Sequence, residues 1–326
     1  MSSTGFSSLL SLARKLNNFY LLEYFTNSCL PFICEGVQVG LISSKVLKEL
    51  QRFPSVFAIS SNSVTFTPNL DNPQARNDAL EETLLKLKSE DVFPALRGWR
   101  GECYVTRASS SGPELFKMER AGSVLFGVKS YGVHITGYVN HSSKGLCVWF
   151  QQRSKTKQTW PGMFGKCQAY VLFFTFVDYF LFLDSFVGGG LTEGYGVLET
   201  AIKEAGEEAN VPEDLASNLK PVGVVSFLHE SERGIQPDTE YVFDLELPEG
   251  FKPSNNDGEV EDFVLVPVKE IPDFICKENF KITSSAIALD WLIRHGIVTP
   301  ENESYFAEIV ELIHLPIHQL FQMKQR

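Results

Sequence analysis

The clearest periodic stretch of the chain runs from about residue 197 to 211. Leu198, Ala201, Ile202, Ala205 and Ala209 recur there at helical spacing and predict a helix with a narrow packing face of mostly small residues. The same period predicts helices over 8–20, 45–50, 75–87 (Ala79, Leu80, Leu84, Leu87), 284–294 and 301–320, the last kinked or ended early by Pro316. Strand-like runs fall at 56–66, with a Ser-Asn turn inside it, and at 126–139, 146–151, 222–228, 240–247 and 263–268. Residues 31–41 form a short apolar stretch broken by Gly36 and Gly40, and turn residues cluster at 253–258. No internal repeat or low-complexity linker interrupts the pattern.

Composition narrows the classes of function. At 326 residues the chain is long enough for two domains and a substantial core. Acidic residues outnumber basic ones by 40 to 29, for a net charge of −11. That argues against a nucleic-acid polymer as partner, because such binding needs clustered Lys and Arg. It leaves room for a small anionic substrate held through a metal. The six cysteines (Cys29, Cys34, Cys103, Cys147, Cys167, Cys276) show no C-x-x-C and no zinc-like spacing with His, and read as reduced, mostly buried residues of an intracellular protein. The first twenty residues lack acidic groups and carry Arg14 and Lys15. The expectation is that they begin the first helix of a cytoplasmic protein, a mitochondrial presequence being the weaker alternative.

Four patterns carry candidate chemistry. Glu204, Glu207 and Glu208 stand at i, i+3 and i+4, so three carboxylates share one side of the 197–211 helix. This is either a solvated acidic face or a site for a hard divalent cation, Mg²⁺ or Mn²⁺, which takes oxygen ligands and keeps waters for substrate phosphates. Gly188-Gly189-Gly190 reads as a flexible glycine loop, along which phosphate oxygens could approach main-chain N–H groups. The segment from Arg153 through Lys155 and Lys157 to Trp160 is either a solvated connection or an anion-reaching loop, with Trp160 able to stack on a ring. Glu259 and Glu261 are either a solvated acidic turn or the source of a general base. His134, His295, His314 and His318 read as core or surface residues rather than ligands.

At this point the segment from Gly189 to Val211 resembles the Nudix box, G-x5-E-x7-R-E-U-x-E-E-x-G-U with U aliphatic. Gly189 takes the first Gly, Lys203-Glu204 the R-E, Glu207-Glu208 the E-E and Val211 the last aliphatic. Tyr195 stands where the first Glu belongs, Lys203 replaces Arg, and Asn210 replaces the final Gly. The flanking motifs around Gly98-Trp99-Arg100, Phe126-Gly127-Val128, Trp160-Pro161-Gly162, Tyr241–Leu245, Asp257–Phe263 and Leu292–Gly296 are similar to one fungal and plant Nudix subfamily. That group is related to thiamine pyrophosphokinase and carries its own N-terminal domain.

The resemblance implies a Nudix α/β/α sandwich with a mixed sheet over residues 126–326, preceded by a smaller α+β accessory domain over 1–125. It implies a Mg²⁺- or Mn²⁺-dependent hydrolase of diphosphate bonds, with Glu204, Glu207 and Glu208 as metal ligands and catalytic residues. Glu259 would supply the base, and Gly189, Gly190, Arg153, Lys155, Lys157 and Trp160 would contact the substrate. That substrate is a small-molecule diphosphate: damaged thiamine diphosphate analogues first, oxidised nucleotides such as 8-oxo-dGTP second. A non-catalytic diphosphate-binding protein is a third reading. The protein is expected to be a monomer or homodimer.

Residues 164–182 break the likeness. They are rich in Phe, with almost no charge beyond Lys166 and Asp178. The apolar run from 169 to 183 is shorter than the ~20 residues a bilayer needs and contains Asp178, so no membrane span is expected. Gly165-Lys166-Cys167 can be encoded by a sequence containing a splice-donor motif, and the segment reads as a retained intron. Transcripts that keep these codons in most molecules would overturn that expectation.

Overall fold

The computed structural model describes residues 7–22, 29–109, 112–154, 183–191 and 194–323. The first half begins with helices α1 (Ser8–Leu16) and α2 (Asn18–Leu22). Ser7 caps α1, its hydroxyl accepting from the Leu10 N–H at 3.1 Å. Strands β1 (Cys29–Cys34) and β2 (Val37–Ser43) form a hairpin, followed by α3 (Ser44–Leu50), β3 (Phe57–Ile59), β4 (Val64–Phe66) and α4 (Pro73–Ser89). The four strands make one sheet in the order β2-β1-β4-β3. A second hairpin, β5 (Cys103–Arg107) with β6 (Glu114–Glu119), leads into α5 (Arg120–Phe126). Phe32, Phe57, Phe116, Phe126, Leu80 and Leu84 are all buried in one core between these elements.

The second half is built on a mixed sheet. It contains β7 (Ser130–His141), β8 (Gly145–Arg153), β9 (Leu183–Asp184), β10 (Val187–Gly190), then helices α6 (Val197–Ala209) and α7 (Glu213–Ala216), and strands β11 (Lys220–Ser231), β12 (Gly234–Glu246) and β13 (Val260–Pro267). Four helices follow: α8 (Ile271–Phe274), α9 (Ile282–Arg294), α10 (Phe306–Leu312) and α11 (Ile317–Met323). The strand order is β11-β12-β7-β8-β13, with β10 also on β7 and β9 also on β8. β12 runs parallel to β7, and β10 antiparallel to it.

Because successive strand residues face opposite sides, the sheet has two apolar faces. Val133, Ile135, Val187 and Phe243 pack against Ala201, Ala205 and Ala209 of α6. Phe150, Val225, Phe227 and Val242 pack on the other side against Ala286, Trp291 and Leu292 of α9 and Ile309 of α10. Leu9, Leu10, Leu12, Ala13 and Leu16 of α1 join this second core, so the first helix of the chain covers the sheet that its last helices also cover. The result is helix, mixed sheet, helix, with a separate α+β unit before it.

Three expected elements differ. The strand expected over 126–139 starts at Ser130, because α5 runs to Phe126 and Gly127 closes it in the left-handed region, φ +51°. The helix expected over 301–320 starts only at Phe306 and, as Pro316 leads one to expect, is interrupted, α10 ending at Leu312 and α11 following Pro316. The glycine loop is strand β10, every residue of which pairs with β7. The segment 164–182 lies outside the described residues. No helix among them is long and apolar enough to cross a membrane.

Two buried ionic clusters tie the second half together. Asp244 on β12 receives both guanidinium nitrogens of Arg294 at 2.8 and 2.9 Å and faces His295 Nε2 at 2.9 Å. Asp184, on the short strand β9, accepts from Arg153 at 2.5 Å, from Lys281 at 3.2 Å, from the Ser284 hydroxyl and from the Ser185 N–H at 2.8 Å. Burial by itself would raise the Asp184 pKa, but Lys281 and Arg153 outweigh it and hold the carboxylate well below its usual range.

Asp184→Asn leaves Arg153 buried without its anion and is expected to cost about 3–5 kcal/mol, read as a drop in thermal or denaturant midpoint. Since the folded pKa lies below the unfolded value near ~3.9, the carboxylate's contribution is complete above that pH and is lost as the pH falls further. An acid titration of stability should therefore be flatter in the Asn variant than in the parent. Equal acid limbs would refute the role given to this cluster.

Candidate active site

Helix α6 presents its small residues inward and its carboxylates to a cleft. Ala201, Ala205 and Ala209 are fully buried, whereas Leu198, expected on the packing face, is 50% exposed. Three alanines let the helix lie close to β7 and β10, and this closeness sets where the glutamates arrive. Glu199 closes the first turn by accepting from the Gly196 N–H at 2.9 Å. Asn210 ends the helix at φ +51°, a conformation in which Asn ranks next after Gly, so the residue standing in place of the box's final Gly keeps its backbone role.

The three glutamates have unlike surroundings. Glu208 is buried and accepts from the Gly188 N–H at 3.0 Å and from the Gln151 amide at 3.3 Å. Glu207 pairs with Lys203, whose ammonium is also 3.7 Å from Glu204. Glu204 lies against β10, where a Cβ on Gly189 would overlap its carboxylate. Burial first, and the Glu208 charge second, push Glu204 up to about 7.

The cleft has a volume of about 330 Å³ and is lined from both halves of the chain. From the second half come Gly188, Gly189, Gly190, Glu204, Glu207, Glu208, Arg153, Arg233, Glu240, Glu259 and Lys281; Arg100, Glu102, Tyr104 and Arg120 come from the first. Glu240 of β12 sits opposite Gly132 of β7, and a Cβ on that glycine would overlap its carboxylate. Its Oε2 is buried with no hydrogen-bond partner, and burial, then the Asp238 charge, push it up to about 8. His134, buried with Nδ1 at 2.7 Å from the Ser185 hydroxyl, is pulled down to about 3 by burial and then by Lys281, so it is neutral at physiological pH.

The residues expected at the site are thus partly brought together. Gly189, Gly190, Glu204, Glu207, Glu208, Arg153 and Glu259 all line the cleft. Arg153 does so from the end of β8 while bound to Asp184, as a buried strand residue rather than as part of the expected anion-reaching loop. Glu259 lies 3.9 Å from Arg100 Nη1. Glu261 is exposed and not part of the lining, and Tyr195 is 50% exposed. Lys155, Lys157 and Trp160 lie outside the described residues. Sequence reasoning missed Arg100, Arg120, Arg233, Asp238 and Glu240. The signal available for the last two was a pair of acidic residues at i, i+2, which places both carboxylates on one face of a strand.

Comparison with known proteins agrees with this geometry. The NUDIX domain profile matches residues 131–285, and a profile described as Domain of unknown function (DUF4743) matches residues 8–130. Nudix hydrolase 20, chloroplastic, of Arabidopsis thaliana is 34% identical over 286 residues, spanning 85% of this chain and 70% of the plant protein. Nudix hydrolase 24, chloroplastic, of the same plant is 34% identical over 279 residues, with the same two shares. An uncharacterised protein of Saccharomyces cerevisiae is 32% identical over 298 residues, spanning 86% of this chain and 81% of its own length. With these relatives, and with the carboxylate helix set against a glycine strand, the chain belongs to the Nudix hydrolases, enzymes that hydrolyse diphosphate bonds.

Proposed function

We propose that this protein is a divalent-cation-dependent pyrophosphohydrolase that converts damaged thiamine diphosphates, such as oxo- and oxythiamine diphosphate, to their monophosphates. The observation that carries the reading is the meeting of Glu204 and Glu208 with the three glycines of strand β10 inside one cleft. The choice of thiamine analogues rests on the sequence likeness to the thiamine pyrophosphokinase-related group. In this reading residues 1–125 are the accessory unit and 126–326 the catalytic one. The described cysteines, Cys29, Cys34, Cys103, Cys147 and Cys276, are free thiols, in keeping with a reducing setting.

Nudix proteins generally use divalent metals such as Mg²⁺. The residues present fit such an ion. The donors are all carboxylate oxygens, and Glu204, buried first of all and then repelled by the Glu208 charge, holds its proton more tightly than an ordinary glutamate. Among the described residues no three His, Cys, Asp or Glu side chains converge as a ready metal cage. Lys203 occupies the space between Glu204 and Glu207, and Glu208 is turned to Gly188. Glu204, Glu207 and Glu208 would hold the ion once Lys203 swings aside. When bound, it would offset charge on the phosphoryl oxygens and acidify a water.

The chain's own groups then have defined tasks. Water attacks phosphorus, a new P–O bond forms as the bridging P–O bond breaks, and the water's proton passes to a carboxylate of the cleft. Glu259, at the start of β13, takes that proton. A second reading gives the task to Glu240, because its Oε2 is buried, unpartnered and proton-seeking.

Phosphate release from oxythiamine diphosphate in the presence of Mg²⁺ tests these assignments. Glu204→Gln is expected to lower kcat at least ~10²-fold, and loss of the true base by about 10²–10⁴-fold. Of Glu259→Gln and Glu240→Gln, the variant with the larger loss identifies the base. Gly189→Ala should displace the Glu204 carboxylate and lower kcat by about 10- to 100-fold while the protein stays folded. Turnover of purine nucleotides but not of thiamine analogues would overturn the substrate assignment, and full activity in Glu204→Gln would overturn the mechanism.

A further inference from the structure

The glutamates occupy one side of the cleft, and a second group of charges faces the same space. Arg100 precedes β5, Arg120 begins α5, and Arg233 lies in the tight turn between β11 and β12; all three line the cleft. Two of them are set by one buried carboxylate. Glu119 accepts from the N–H groups of Arg100 at 3.1 Å, Gly101 at 3.0 Å and Ala121 at 3.1 Å, which fixes the approach of the Arg100 loop and the start of α5 together. Arg120 is further held by Glu102 at 2.9 Å and lies over the Tyr104 ring at 5.5 Å. The third is brought in by packing. Gly234, at φ +144°, follows Arg233, and a Cβ there would overlap the Val124 carbonyl, so the turn is pressed onto α5 itself.

β10 fixes the distance between the two charge groups. A Cβ on Gly189 would overlap Glu204, and one on the next residue, Gly190, would lie 2.5 Å from Tyr104 Oη and 2.9 Å from Arg120 Cζ. The carboxylate group and the arginine group therefore touch neighbouring residues of one strand. Arg120 has Glu102 and Arg100 has Glu259 as acidic neighbours. Among the described residues no side chain accepts from the Arg233 guanidinium, although it is half-buried and repelled by the other two arginines. Cationic groups crowded in this way, and placed by a buried carboxylate, want a multivalent anion.

The geometry points to an anion subsite, made by Arg100, Arg120 and Arg233 beside Gly190, that takes the terminal phosphate of the diphosphate. This rests on the hydrolase reading above and extends it. A terminal phosphate carries about −1.5 to −2 charges near neutral pH and three acceptor oxygens, whereas a phosphate esterified on both sides carries fewer of each. Guanidinium forks match those oxygens. Successive residues of β10 face opposite sides, so the arginines and Glu204 reach the same cleft from the two faces of one strand. The first half of the chain would thereby complete a site whose carboxylates come from the second.

Titration calorimetry of inorganic pyrophosphate without metal, on the full chain, tests the subsite apart from catalysis. Pyrophosphate should bind, and Arg233→Gln should weaken it at least about tenfold, the order expected for losing a charge-assisted hydrogen bond. Arg233→Lys should recover part of the loss. Arg120→Gln should behave like Arg233→Gln. If it fails to fold, Arg233→Gln alone decides, because among the described residues no side chain accepts from that guanidinium and its loss breaks no ion pair of the fold. In turnover, Arg233→Gln should raise KM for oxythiamine diphosphate more than it lowers kcat. Absence of pyrophosphate binding, or binding that Arg233→Gln leaves unchanged, overturns the subsite. A parent protein that binds pyrophosphate through Arg233 yet turns over no diphosphate overturns the hydrolase reading and leaves the subsite standing.

Discussion

The arrangement depends most on the pairing of Val187–Gly190 with β7. Its three consecutive glycines are weak on their own terms, since they give up backbone entropy and contribute no side-chain packing. Here the missing side chains are what the neighbours occupy. The His134 ring fills the place of a Cβ at Gly188, the Glu204 carboxylate that at Gly189, and Tyr104 with Arg120 that at Gly190. Hydrogen bonds to β7 keep the strand in register, so three groups from distant parts of the chain share one short length of backbone. Only one of these glycines follows the family pattern directly; the other two are explained by space.

The buried charges divide into two kinds. Asp184 and Asp244 are matched by cations at hydrogen-bonding distance, and they join strands to the helix α9 region. Such clusters specify how elements meet, and breaking one is costly because the partner stays buried. Glu204 and Glu240 are not matched in this way, and each holds its proton more tightly than an ordinary glutamate. Unmatched carboxylates are unfavourable for folding alone, and their concentration in one cleft fits a site whose missing charge arrives with its ligand.

Helices and most strands were legible from the chain because their signal is local. The period of Ala201, Ala205 and Ala209, and the alternation along β12, need no knowledge of neighbours. Boundaries were read less well where one residue changes the backbone. Gly127 ends α5 and delays β7, whereas the interruption of the last helical stretch before Pro316 was legible, because proline's missing N–H is a local signal. Gly188-Gly189-Gly190 was misread as a loop because glycine's local preference is for turns, and only a partner strand overrides it.

The sequence by itself determined the carboxylate helix, its i, i+3, i+4 spacing and the family to which these belong. That information sits within a couple of turns of helix and survives any rearrangement elsewhere. Tertiary structure decided which groups face those carboxylates. Glu240 reaches the cleft because β12 lies beside β7, and Arg233 because its turn packs on α5. Arg100 and Arg120 reach it because Glu119 holds their loop and helix together. No spacing along the chain encodes these meetings, since they follow from strand order and from where a glycine leaves room.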